Sequence, residues 1–206
     1  MSRKIKLAYT MTLVATTTLL LGVSPNTAQP ELPSGHPAVS MPEKPKAPEQ
    51  ANPDDVQTIA GIIDAYYASV SGPKGQARDW SRFLSLFMPD ARFIVARVVD
   101  GKSVPLALSP DEFISSNRTY FERGGYFEQD IHREVDTFGH IAQVFSTYAS
   151  RRAQEDPEPY ARGINSFQLI KTDGRWWITS IMWDHENQES NPIPPAYLPS
   201  DSGASE

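Results

Sequence analysis

Residues 160–186, YARGINSFQLIKTDGRWWITSIMWDHE, decide the fold. Asp173-Gly174 supplies the two positive φ angles of a type I′ hairpin turn. Before it, Ile164, Phe167, Leu169 and Ile170 form a β-rich run. After it, residues 176–183 are almost wholly β-branched or aromatic. Pairing Thr172 with Arg175 sets Leu169 opposite Ile178, Phe167 opposite Ser180 and Asn165 opposite Met182. On the other face Ile170 meets Trp177, Gln168 meets Thr179 and Ser166 meets Ile181. Both faces are substantially apolar, so the rest of the chain must cover them.

Upstream, residues 127–137 and 140–152 read as two long strands around a Phe138-Gly139 turn. Pairing Thr137 with His140 places Val135 opposite Ala142, Arg133 opposite Val144, Ile131 opposite Ser146 and Gln129 opposite Tyr148. Ser109-Pro110-Asp111-Glu112 starts a helix, with Ser109 as cap, Pro110 in the first position and Glu112 completing a capping box. Gly124-Gly125 ends it. The sequon Asn117-Arg118-Thr119 falls inside this helix and is discounted. Residues 91–99 and 104–108 form a strand pair around Asp100-Gly101. An apolar stripe of Val56, Ile59, Ala60, Ile63, Tyr66, Tyr67 and Val70 predicts a helix over 55–70. Trp80, Phe83, Leu84 and Phe87 predict a second over 79–88, closed by Pro89.

The 206-residue chain carries a net charge of -6 and no cysteine. The acidic balance argues against a nucleic-acid or anionic-membrane partner. The missing thiols exclude disulfides, thiolate metal sites and cysteine nucleophiles. Residues 1–28 read as an export signal: Arg3, Lys4 and Lys6 precede an uncharged, largely apolar stretch over 7–23, and small residues follow with cleavage expected after Ala28. The protein is therefore expected to be secreted or periplasmic, free of the membrane after cleavage, with an uncleaved anchor as the alternative. Residues 29–53 are a proline-rich linker, expected to be disordered, and 188–206 a proline-rich tail. The domain spans 54–187.

Helices followed by long strands predict an α+β fold, a curved antiparallel or mixed sheet wrapped around about three N-terminal helices. Its cone-shaped interior suits a small apolar or aromatic molecule. The leading helix with Tyr66-Tyr67, the 80–89 segment with Phe87, and Gly174-Arg175-Trp176-Trp177-Ile178 running into Trp183 resemble the nuclear-transport-factor-2-like superfamily. The SnoaL-like domains of exported bacterial proteins are the nearest in kind. The resemblance covers roughly residues 54–187 and implies fold rather than activity. The superfamily contains isomerases, dehydratases and cyclases that need no cofactor, and also members that only bind or assemble.

Strand alternation sorts the side chains. The cavity face is expected to hold Ile131, Ser146, Tyr148, Asn165, Phe167, Ser180, Met182 and Asp184. The outer face is expected to hold Phe145, Trp177, Ile181 and Trp183 and to form a homodimer. Asp184 is the candidate catalytic carboxylate and Tyr148 its donor partner. Asn165, Ser146, Phe167, Ser180, Met182, Tyr66 and Tyr120 are the candidate ligand contacts. The alternative for Asp184 is a place at the rim, paired with Arg151, Arg162 or solvent. His132, Glu134 and Asp136 alternate on one face, a row read as solvated or interfacial, so no metal is expected. No phosphate loop, dinucleotide fingerprint or nucleophile elbow occurs, and no cofactor is expected. Three functions follow: a ligand-binding domain, an acid–base isomerase, cyclase or dehydratase, or a dimeric assembly module.

Overall fold

The central hairpin forms as its turn requires: Asp173 and Gly174 take φ of 51° and 79°. It joins β5 (Ala161–Thr172) to β6 (Arg175–His185). The computed structural model describes residues 50–200. The expected leader and all but the last residues of the expected linker lie outside these. Among the described residues no helix is long and apolar enough to cross a membrane.

Six strands form one curved, unclosed sheet in the order β2-β1-β6-β5-β4-β3. Besides the central pair these are β1 (Phe87–Val99), β2 (Lys102–Leu108), β3 (Phe127–Phe138) and β4 (Ile141–Arg151). All neighbours are antiparallel except β1 and β6, which run parallel. The helices are α1 (Pro53–Val56), α2 (Ile59–Val70), α3 (Trp80–Ser85) and α4 (Pro110–Gly124). The expected 55–70 helix is split, because the Thr58 hydroxyl accepts the Gly61 N–H at 2.9 Å and caps a new helix. The expected 79–88 helix stops at Ser85. There the chain turns into β1, and the Leu86 carbonyl takes the Ile178 N–H at 2.9 Å. The capping box of α4 forms with both of its hydrogen bonds.

The helices bury their aromatic stripes against the concave face. Phe83, Phe93 and Phe113 stack at the centre, with Phe93 and Phe113 ring centroids 4.1 Å apart. Tyr66 packs edge-on against Phe167 at 5.1 Å. Arg78 is buried at the end of α2 and donates to the carbonyls of Val70 (3.0 Å), Gly72 (2.5 Å) and Phe121 (3.0 Å). This ties the end of α2 to α4, and the adjacent Gly72–Tyr126 bridge fixes the entry to β3.

Two bulges correct the expected faces. In the central hairpin Leu169 pairs with Ile178, but Gln168 pairs with Ser180, so Thr179 is an extra residue on β6. Beyond it Phe167 meets Ile181 and Asn165 meets Trp183. Ile181 is therefore buried and faces inward with Trp183, not outward as alternation predicts. Ser180, Met182 and Asp184 turn to the outer face, and Met182 is 42% exposed. The expected dimer centre is thereby divided between two faces. In β3, Asp130 pairs with Tyr148 and His132 with Thr147, leaving Ile131 as the extra residue. Ile131 leaves the cavity face, and Glu128 and Asp130 turn onto it. The β3–β4 turn also moves by one position, with Phe138 opposite Ile141. That slides the pairing by two residues and keeps faces unchanged above the bulge.

The tail folds back. Ile193 is buried, and Tyr197 packs on Phe145 with ring centroids 5.1 Å apart. The Thr147 hydroxyl donates to the Tyr197 carbonyl at 2.6 Å. Part of the outer face is thus covered by the chain itself.

Candidate functional site

The inner cavity opens between α2, α4 and the β3–β6 end of the sheet, with a volume of about 370 Å³. Tyr66, Phe113, Phe121 and Trp183 form apolar walls, and Glu128, Tyr126, Asn165, Tyr148 and His185 supply polar groups. Such a mixture suits a small ligand with a few fixed polar contacts.

Glu128 is the carboxylate of this site. It follows Tyr126 into β3, and the Ile131 bulge sets its face. The Ser71 hydroxyl clasps its backbone, accepting the N–H at 3.0 Å and donating to the carbonyl at 3.2 Å. Asn165 Nδ2 donates to Oε1 at 2.9 Å, and the Tyr126 hydroxyl donates to Oε2. Burial pushes the Glu128 carboxyl above the usual carboxylate range, and the two donors only partly oppose it. The same Asn165 nitrogen also donates to Tyr67 Oη at 3.1 Å, and Tyr67 shares a 2.6 Å hydrogen bond with Ser146. Ser146 and Asn165 are buried and held by this chain of bonds.

A second polar pair faces the same cavity. Tyr148 Oη lies 2.7 Å from His185 Nδ1. Gly163 makes this possible, because a Cβ there would collide with the Tyr148 hydroxyl and the Asp184 carbonyl. Burial first, then the Glu128 charge, raise the Tyr148 hydroxyl well above its ordinary value. It remains a neutral donor at physiological pH. A carboxyl with raised proton affinity and a neutral phenol on one cavity can bind and polarise an oxygen function.

The structure brings Tyr148, Asn165, Tyr66 and Tyr120 to the cavity lining. Phe167 lies just behind, fully buried in the core. Asp184 is not there. It sits on the outer face, exposed, where Oδ1 accepts the His185 backbone N–H at 2.8 Å. It belongs with Ser166, Met182, Ile193 and Tyr197 to an outer groove of about 480 Å³. Ser180 is also turned away, by the Thr179 bulge. Sequence reasoning missed Glu128 and His185. Uniform alternation puts both on the wrong face, although the Tyr-Phe-Glu run at 126–128 placed a carboxylate beside aromatic residues.

No family model and no curated protein matches the chain. Solved structures do resemble it. A cystatin-like-fold protein of unknown function from Nostoc punctiforme is 14% identical, with a TM-score of 0.48, over 66% of this chain and 92% of that one. A nuclear-transport-factor-2-like protein of unknown function from Pseudomonas putida is 11% identical, with a TM-score of 0.49, over 66% and 90%. Another, from Silicibacter pomeroyi, is 16% identical with a TM-score of 0.44, over 62% and 92%. The helices packed in the curve of an unclosed, mixed six-stranded sheet make the α+β architecture that the sequence predicts, and the likeness to these structures is one of fold alone.

Proposed function

We propose that this chain is a small-molecule-binding domain whose inner cavity takes an apolar or aromatic ligand bearing an oxygen function. One observation carries the reading: a cavity of about 370 Å³ with aromatic walls gathers Glu128, Asn165 and Tyr148 on one lining. N-phenyl-1-naphthylamine, an uncharged dye that brightens in apolar surroundings, tests it. Saturable binding to one site per chain is expected. Asn117→Trp fills the cavity from α4 and should weaken binding about tenfold, a typical overpacking cost. Met182→Arg, in the outer groove, should leave binding intact. Binding indifferent to Asn117→Trp, or lost in Met182→Arg, defeats the assignment.

A second reading, acid–base catalysis, is favoured by the burial-raised Glu128 carboxyl facing the same space as the Tyr148–His185 pair. Glu128 would then take the proton, in place of the expected Asp184. The α-protons of 2-tetralone exchanging into deuterated water provide the assay. Glu128→Gln should slow exchange about 10²–10⁴-fold with little change in affinity, the usual span for a general base. Exchange no faster than in buffer alone leaves binding as the function.

A further inference from the structure

We propose that the ligand class is an amphipathic anion, an aromatic or alicyclic body carrying one acidic group, and that Arg152 receives that group at the cavity rim. The inference rests on the binding reading above. It begins from Tyr120, which lines the cavity yet is 45% exposed, and so marks the rim. Tyr120 and Tyr160 share a 3.2 Å hydrogen bond between hydroxyls. Between their rings lies the Arg152 guanidinium, 4.7 Å from the Tyr120 centroid and 4.4 Å from the Tyr160 centroid. Its Nη2 donates to Tyr120 Oη at 2.7 Å and its Nη1 to the Gly125 carbonyl at 3.4 Å.

At this rim Arg152 combines the clamp of two rings with a missing counter-charge. Arg82 pairs with Asp55, Arg133 with Asp64 and Asp130, and Arg162 with Glu186. Among the described residues no carboxylate forms an ion pair with Arg152. Asp156 is close in sequence, but its Oδ2 accepts the backbone N–H groups of Arg152 (3.1 Å) and Ala153 (2.9 Å). A guanidinium carries five N–H donors, and the contacts above use two of its nitrogens. Clamped between two rings it has little rotamer freedom left to lose, and its charge is not neutralised by the π faces. That is a pre-organised anion receptor beside an apolar cavity.

A merely structural Arg152, tying the end of α4 to the β4–β5 loop, makes a different forecast, and a pair of dyes separates them. 8-Anilinonaphthalene-1-sulfonate is N-phenyl-1-naphthylamine with a sulfonate added. The native protein should bind the sulfonate about five- to tenfold more tightly than the uncharged dye, the range of a partly exposed charge-assisted contact. The two dyes should compete, and added salt should narrow the gap. Arg152→Gln should bring the ratio of affinities close to one, and Arg152→Lys should restore part of it. Equal affinities in the native protein, or a ratio unchanged in Arg152→Gln, overturn the proposal. Arg152→Gln weakening both dyes alike, with the ratio kept, shows a strut and overturns it too. If the uncharged dye fails to bind at all, the cavity reading falls and this inference with it. Binding of the uncharged dye without preference for the sulfonate sinks this inference alone.

Discussion

The sheet holds a hollow on each face, and the two are built differently. The inner one is the smaller, about 370 Å³ against 480 Å³. Its polar groups are tied to one another, Ser146 to Tyr67 to Asn165 to Glu128 to Tyr126, inside aromatic walls. The outer one is a groove between the sheet and the returning tail, edged by exposed Met182 and Asp184. Volume therefore says less than convergence. Desolvated polar groups aimed at one space can perturb a carboxyl and orient a ligand, whereas a solvated edge does neither. The difference between the faces depends on which residues of β6 point where, and that depends on one extra residue.

The largest effect should come from removing that dependence. Inserting one residue between Gln168 and Leu169 gives Thr179 a partner and regularises the ladder. Alternation then sends Phe167, Asn165, Ile181 and Trp183 to the outer face. Exchanging a buried aromatic row for Ser180, Met182 and Asp184 should cost about 5 kcal/mol or more, enough to abolish the native state of an ordinary domain. Deleting Thr179 also regularises the ladder but keeps Ile178 and Ile181 on their present face. That variant should remain folded in a urea titration. Two equally destabilised proteins would show that the bulge does not separate the faces.

A smaller effect sharpens the inner face alone. Because burial raises the Glu128 carboxyl, the folded protein holds that proton more tightly than the unfolded chain does. The stabilising contribution is full below the unfolded carboxylate range and is lost as pH rises through the folded value. Glu128→Gln mimics the protonated form and cannot ionise. The stability difference should therefore shift in favour of Glu128→Gln as pH rises from acid to neutral, read from thermal midpoints. A difference independent of pH would mean the carboxyl is not desolvated.

The turns, caps and aromatic stripes were legible in the sequence because each is a local signal. Asp173-Gly174 and Asp100-Gly101 take the positive φ angles that their residue types permit, and Ser109–Glu112 closes its box. In the central hairpin the register held only near the turn, and in the β3–β4 hairpin it was two residues out from the start. Leu169 meets Ile178 as counted, whereas Asn165 meets Trp183 and not Met182. A bulge has no strong local signature here, since neither Thr179 nor Ile131 is a glycine or proline. Its cause is tertiary: β6 must also pair in parallel with β1, with Phe93 beside Ile181 and Phe87 beside Ile178. Read by alternation, the β6 strand wrongly brings Asp184 to the cavity, and the β3 strand wrongly sends Glu128 away from it. Tyr148 and Asn165 lie on β4 and β5, which carry no extra residue, and both reached the cavity.

The smallest effect falls on Asp184, where the two faces can be compared through one functional group. Asp184 and Glu128 are both carboxylates near a hollow. Glu128 accepts from Asn165 and Tyr126 inside the cavity, and its removal leaves two buried donors unpaired. Asp184 accepts the His185 N–H at 2.8 Å and approaches Asn191 Nδ2 at 3.5 Å, in water. Asparagine keeps the acceptor that the His185 amide uses. Asp184→Asn should therefore change stability by no more than about 0.5 kcal/mol, as exposed substitutions do. Binding of N-phenyl-1-naphthylamine should stay within about twofold, since no solvated edge group carries an uncharged ligand's affinity. Chemical denaturation and dye titration read both quantities. A large loss of binding in Asp184→Asn, with Asn117→Trp silent, would move the ligand to the outer groove and reverse the assignment of the two faces.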